Sequence, residues 1–325
     1  MPRAAHFLAG ALVLATPALA ACSSGRSASR PELAPKPSPA LLRLRARAVG
    51  RLPEPVQLPA AASLGGTGSL VLGGLSASDQ SLPTVTAVKG GNARAIGSLP
   101  APVHDAAAAA IGREVYLFGG GSAGGSTAAV YRVAPGRVAR VGQLPAPASD
   151  LGVAAVGGAA YVIGGYTGAS PLRSVVVFRP GAGARVVGRL PSPLRYAAVA
   201  AVGGKVLIAG GDSPSGPTRA ILSFDPATAR VRRLGTLPAS VSHAAGASLR
   251  GTFYVIGGRR SASGAQSPLV LAVDPASGRA RMAGSLPRAL SDLAAVSEPR
   301  RILVFGGRDS GGRARDGILA LEPRG

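Results

Sequence analysis

Beyond residue 42, short apolar runs alternate with breaks rich in Gly, Pro and Ser. The runs Val115-Tyr116-Leu117-Phe118, Tyr161-Val162-Ile163, Tyr254-Val255-Ile256 and Ile302-Leu303-Val304-Phe305 each end in a pair of glycines. Runs this short, rich in β-branched and aromatic residues and bounded by turn formers, predict strands. The Gly pairs begin at Gly73, Gly119, Gly164, Gly210, Gly257 and Gly306, at intervals of 45 to 49 residues. A Leu-Pro step recurs in the same phase at Leu52, Leu99, Leu144, Leu190, Leu237 and Leu286. The Leu precedes the Gly pair by 20 residues in five repeats and by 21 in the first. Two independent markers that agree six times define six structural repeats.

Each repeat reads as four short strands. The first follows Leu-Pro and is rich in small residues, as in Ala197-Ala198-Val199-Ala200-Ala201-Val202; the second is the run into the Gly pair. The third alternates and ends near an acid, as in Ile221-Leu222-Ser223-Phe224-Asp225-Pro226, and the fourth is Arg-rich, as in Val231-Arg232-Arg233-Leu234. One such unit cannot cover both of its faces, so the units must stack, and radial stacking makes a propeller. The Ala-rich first strand suits the innermost place, where space tapers toward the axis. The sixth repeat stops after its third strand at Leu321-Glu322-Pro323, while residues 42–50 carry the pattern of a fourth strand. The prediction is an all-β, six-bladed β-propeller of four-stranded antiparallel blades, its last blade closed by the N-terminal strand. With 47 Gly and 28 Pro, the chain leaves little room for long helices.

The succession of Leu-Pro, apolar strand, Tyr before an apolar run, Gly-Gly, and a further strand ending Asp-Pro (Asp225-Pro226, Asp274-Pro275) resembles kelch repeats over residues 42–325. The chain departs from that family where a Trp is usual, six residues before the Leu. There it has Ala46, Ala93, Val138, Ala184, Val231 and Ala280, so the outer part of each blade should pack more loosely. The resemblance implies that ligands bind on the face carrying the fourth-to-first and second-to-third strand connections.

The first 41 residues read as an address. Residues 1–21 hold Arg3 and an apolar run from Phe7 to Leu19, which is too short to span a bilayer and fits a secretory signal. Leu19-Ala20-Ala21-Cys22 resembles a bacterial lipoprotein signal, in which the thiol, here that of Cys22, is acylated after cleavage. An ordinary signal peptide beside a chance Cys is the alternative. Residues 22–41, rich in Ser and Pro, read as a flexible tether. The expected location is the bacterial cell envelope, lipid-anchored on the extracytoplasmic side of the membrane. Cys22 is the only cysteine, so no internal disulfide can form.

Lys plus Arg is 36 against 14 Asp plus Glu, a net charge of +22, and only Lys36, Lys89 and Lys205 are lysines. Such a surplus attracts polyanions or reflects compositional bias. No Trp and only 6 Phe leave no basic-aromatic strand for stacking bases, which argues against nucleic acid.

Six residues past the Leu stand Asp105, Asp150, Tyr196, His243 and Asp292; one residue earlier stand His104 and Arg195, with Ser149, Ser242 and Ser291 between them. These positions should ring the axial mouth. They read either as a ligand funnel or as turn chemistry in which Asp and Ser cap backbone N–H groups. Arg259, Arg260 and Arg308 follow Gly pairs on the same face and are candidates for binding an anion. No metal ion or cofactor is expected. The mature chain lacks an obvious acid–base pair, since Glu114, Glu298 and Glu322 fall in turns away from that face. A copper-radical site needs a Cys–Tyr crosslink and is excluded, because the one Cys lies at the anchor. The sequence thus favours a monomeric, non-catalytic module that binds a protein, a carbohydrate or an anionic envelope ligand. The alternatives are a carbohydrate-active enzyme resembling a periplasmic sialic-acid mutarotase, and an envelope scaffold without a small ligand.

Overall fold

The computed structural model describes residues 41–260 and 264–324. The signal peptide, Cys22 and all but the last residue of the tether lie outside the described residues.

The alternating and apolar runs form six four-stranded antiparallel sheets. From the innermost strand outward, blade 1 is Ala60–Ser63, Ser69–Leu72, Thr84–Lys89 and Asn92–Ser98. Blade 2 is Ala107–Ile111, Glu114–Phe118, Ala129–Ala134 and Arg137–Gln143; blade 3 is Gly152–Val156, Ala159–Ile163, Ser174–Arg179 and Gly183–Arg189. Blade 4 is Ala198–Val202, Lys205–Ala209, Ala220–Asp225 and Arg230–Thr236; blade 5 is Ala245–Leu249, Thr252–Ile256, Leu269–Val273 and Ala280–Ser285. Blade 6 has Ala294–Ser297, Ile302–Phe305 and Arg315–Pro323, and its outermost strand is Leu44–Val56. Each innermost strand lies against the next, and the sixth lies against the first, so the sheets close about one axis. The fold is the six-bladed propeller expected from the spacing.

Six hydrophobic clusters fill the six gaps between neighbouring blades. Tyr116 and Phe118 of blade 2 meet Phe178 of blade 3, with ring centroids 5.4 Å apart in both pairs. The residues standing where kelch repeats usually carry Trp (Ala46, Ala93, Val138, Ala184, Val231 and Ala280) each pack, half-buried, against one of these clusters.

The Gly pairs explain their own recurrence. In each pair the second N–H donates, at 2.8 to 2.9 Å, to the carbonyl four residues past the next Leu marker: Val103, Ala148, Leu194, Val241, Leu290 and, across the closure, Val56. Both glycines adopt positive φ, and a Cβ on the first would collide with that same carbonyl oxygen. A second recurrent feature is a bulge three residues before each Leu (Val49, Ile96, Val141, Val187, Leu234, Ala283), followed every time by glycine. At Gly50 and Gly235 a side chain would run into backbone carbonyls of the following blade.

Closure is extensive. Leu44–Val56 pairs with Arg315–Pro323 from Leu44↔Pro323 to Val56↔Arg315, and the Arg324 N–H donates to the Arg43 carbonyl at 2.9 Å. Leu44, Leu52 and Val56 are buried in the gaps on either side of blade 6. The entry strand also alters the fate of Glu322, which lies within a paired strand opposite Arg45 and not in a turn.

Deleting residues 42–50 is expected to cost about 5 kcal/mol or more and to lower the melting temperature by about 10 °C or more for a domain of this size. Calorimetry that finds unchanged melting would refute the closure. Gly164→Ala is expected to cost about 3 kcal/mol through backbone strain and collision, read as a lower denaturation midpoint with an unchanged m-value.

Candidate functional site

The residues six past each Leu marker are Leu58, Asp105, Asp150, Tyr196, His243 and Asp292, and all six adopt a left-handed backbone with φ between 51 and 58°. Asp and His tolerate this conformation; Leu and Tyr adopt it only where the surroundings impose it. What imposes it is a closed ring of backbone hydrogen bonds. Asp105 N–H donates to the Leu58 carbonyl, Asp150 to Asp105, Tyr196 to Asp150, His243 to Tyr196, Asp292 to His243 and Leu58 back to Asp292, at 2.7 to 3.2 Å. These six residues, with Pro59, Ala106, Leu151, Ala197, Ala244 and Leu293 beneath them, line an axial cavity of about 130 Å³. The backbone N–H groups are therefore satisfied by carbonyls of the neighbouring blades. The Asp side chains do not cap them and are left free to face the axis.

A second tier sits one residue earlier. Gln57, His104, Ser149, Arg195, Ser242 and Ser291 pair with the residues that follow the Gly pairs: Leu75, Gly121, Tyr166, Asp212, Arg259 and Arg308. This pairing places both sets of connections on one face, as the strand order requires.

The charges at the mouth are interlocked. Arg195 forms a close ion pair with Asp150, and its guanidinium carbon lies 4.3 Å from the Tyr166 ring centroid and 4.8 Å from that of Tyr196. Arg259 donates to Asp292 Oδ2 at 2.6 Å and to Ser291 Oγ at 3.3 Å, and Ser291 Oγ donates to the same carboxylate at 2.5 Å. Tyr196 and His243 stack with centroids 3.7 Å apart. His243 Nδ1 lies 3.0 Å from Ser242 Oγ, and its ring stands 3.8 to 3.9 Å from the Asp212 and Asp292 carboxylates. His104 Nδ1 pairs with Ser81 Oγ at 2.8 Å.

Burial dominates the titration. It raises Asp105 well above the usual carboxylate range, helped by the nearby charges of Asp150 and Asp292. Burial also raises Asp150, against the pull of Arg195, and raises Asp212. His243 is lowered to about 4 by burial, with the Arg259 and Arg195 charges adding to the effect and Asp292 opposing it. His104 is lowered by burial as well. At neutral pH the mouth thus holds two guanidiniums and two neutral imidazoles among four aspartates, of which burial biases Asp105 most strongly toward its protonated form, so it is not a basic pocket. At the mouth, the buried atoms Arg195 Nε, Asp212 Oδ1 and Asp292 Oδ1 have no hydrogen-bond partner among the described residues, and Asp150 Oδ2 has only its ion pair with Arg195.

The mouth brings together His104, Asp105, Asp150, Arg195, Tyr196, His243 and Asp292. It also recruits Arg259, through its pair with Asp292. Arg260 is exposed, on the far side of a short ladder with Val241 and Ala265, and Arg308 lies over its own loop near Gly312. Asp212 and Tyr166 were not singled out by sequence reasoning. The available signal was their position directly after a Gly pair, aligned with Arg259 and Arg308. Among the described residues, no three His, Cys, Asp or Glu side chains are disposed to hold a metal ion. Glu114 is engaged away from the mouth, accepting hydrogen bonds from Tyr116 at 2.6 Å and Arg132 at 2.9 Å.

Comparison with known proteins agrees with the architecture. The Kelch motif model matches residues 147–184, which is most of blade 3 and its approach. The solved structure of YjhT, a kelch-type propeller, superposes with a TM-score of 0.72 at 15% identity, covering 84% of this chain and 99% of that one. No curated protein matches the chain in sequence.

Asp105 and His243 give opposite pH dependences. Asp105, raised in the folded state, contributes stability at low pH that is lost as pH rises above the ordinary carboxylate value near 4. His243, lowered to about 4 from 6.5, contributes stability at neutral pH, about 3 kcal/mol of which is lost as pH falls from 6.5 to 4. Asp105→Asn should therefore be more stable than wild type at pH 8, and His243→Gln should flatten the acid limb. Urea unfolding from pH 4 to 9 measures both. A less stable Asp105→Asn protein at pH 8, or an acid limb that persists in His243→Gln, would contradict these assignments.

Proposed function

We propose that the protein is an extracytoplasmic binding module, lipid-anchored through Cys22 and the tether that follows it, and that it takes a small polyhydroxylated ligand at the axial mouth. The observation that carries this reading is a set of buried polar atoms without a hydrogen-bond partner among the described residues: two acceptors, Asp212 Oδ1 and Asp292 Oδ1, and one donor, Arg195 Nε, beside the ion-paired Asp150 Oδ2. Buried polar groups are seldom left unpaired, and a polyol offers donors and acceptors in the same small volume. The ion pairs with Asp150 and Asp292 hold both guanidiniums in place, so little ordering remains to be done on binding. An anionic sugar is the form of ligand that would use the remaining guanidinium N–H groups.

A second reading, as a carbohydrate-active enzyme, draws on a different observation. Asp105, its carboxyl pushed upward by burial, and His243, held neutral, line the same cavity, the pairing that an isomerisation needs for a proton donor and an acceptor.

Calorimetric titration of residues 38–325 with neutral and acidic sugars tests the binding proposal. At least one should bind, and Asp212→Asn and Arg195→Ala should each weaken it about tenfold or more, the usual cost of a lost hydrogen bond to a charged group. If no sugar binds, or if both variants bind as wild type does, the proposal fails. Exchange spectroscopy of the bound sugar's anomers separates the two readings: a faster exchange that disappears in Asp105→Asn would favour the enzyme.

A further inference from the structure

The outer circumference of the propeller carries a charge pattern that the axial site does not use. The outermost strands of blades 1 to 5 contain nine arginines and no acidic residue. All nine are exposed, and none is ion-paired among the described residues. On blade 6 the pattern is weaker, because Arg47 and Arg51 have the partners Glu322 and Asp316. Four of the acids, Asp105, Asp150, Asp212 and Asp292, surround the axis, while Asp225 ends the third strand of blade 4, opposite Arg230. The outermost strands of blades 1 to 5 therefore carry guanidiniums of one sign without an ion-pair partner among the described residues, while a cluster of four aspartates faces the axis.

Protection of edge strands explains some charge at these positions, since each outermost strand presents unpaired backbone groups. It does not explain the choice of arginine alone. Mixed signs protect an edge equally well and lower the self-repulsion of so many cations. The guanidinium fork matches phosphate oxygens, and the free N–H groups of the same strand edge add donors beside it. Residues such as Arg232 and Arg233 are adjacent in a strand, so their side chains project to opposite faces of the blade, and cations line both sides of the edge.

We infer that this rim is a docking track for a flexible, phosphate-bearing polyanion that runs across several blades. The distribution decides between a polymer and a flat anionic surface. The arginines lie exposed on the outermost strands, distributed around the circumference, and a plane can touch only neighbouring blades at one time, whereas a flexible chain can follow the curve. No single blade holds more than three of the nine, so affinity must come from spanning blades. This inference does not depend on what the axial mouth binds.

The test uses the full chain and inorganic polyphosphate. Long-chain polyphosphate should bind with log K falling linearly against log salt, and tripolyphosphate should bind about a hundredfold more weakly or less, because it cannot bridge blades. Replacing Arg185, Arg189, Arg232 and Arg233 together by Gln should cut affinity about tenfold or more and reduce the salt slope by roughly three, at about 0.7 for each phosphate contact. These side chains are exposed, so melting should be unchanged, which separates lost docking from misfolding. Arg260→Gln combined with Arg308→Gln, on the axial face, should leave polyphosphate binding intact. Equal affinity for short and long chains, a slope that survives the fourfold replacement, or binding to anionic phospholipid vesicles that polyphosphate does not displace would each overturn the inference.

Discussion

Six backbone hydrogen bonds running from blade to blade around the axis are the constraint on which the rest of the molecule depends. Each requires its residue to take a left-handed turn, and that turn does two things at once. It redirects the chain from the outer strand of one blade into the inner strand of the next, and it aims the side chain at that position toward the axis. Architecture and site are thus products of a single dihedral choice made six times. Such a ring cannot be opened at one point cheaply, because each carbonyl accepts from a neighbour whose own geometry depends on the next bond. The strain at Leu58 and Tyr196 persists because the five other turns over-determine it.

The Gly pairs act one layer further out and in the same direction around the ring. A blade hands its second Gly N–H to the entry loop of the following blade, and the sixth hands it to Val56, within the strand that begins the chain. The polypeptide is linear, but every inter-blade interaction described here is circular. That contrast explains why the entry strand is long and anchored at several depths, from Leu44 in one gap to Val56 in the next. It substitutes for the covalent link that the other five junctions possess.

Much of this was legible in the amino-acid sequence, because the constraints are local and repeated. Phase agreement between Leu-Pro and Gly-Gly reported six units, and the missing fourth strand after Pro323 reported the closure. The polar positions six residues past each Leu located the mouth. What could not be read was the sign of φ at Asp105, Tyr196 or His243, since only glycine advertises a left-handed backbone by its identity. The capping role open to the Asp residues failed for the same reason: the N–H groups it would have satisfied were already taken by carbonyls of other blades, a tertiary fact. Asp212 was hidden because its partner Arg195 lies 17 residues away in the sequence and meets it only through the bridge between two loops. The glycine after each outer bulge was visible as a regularity, yet its cause, the approach of the next blade's carbonyl to Gly50 or Gly235, appears only in three dimensions.

The direction of the entry strand has a geometric consequence. Leu44 lies at the end of blade 6 where its third strand finishes, beside Pro323, and Val56 lies at the end that leads into the axial mouth. The polypeptide therefore enters blade 6 at the periphery, on the face opposite the mouth, with Pro323 and Arg324 beside it. The charged aperture and the point of entry therefore occupy opposite ends of the same blade, so the strand that seals the ring does so without crowding the opening.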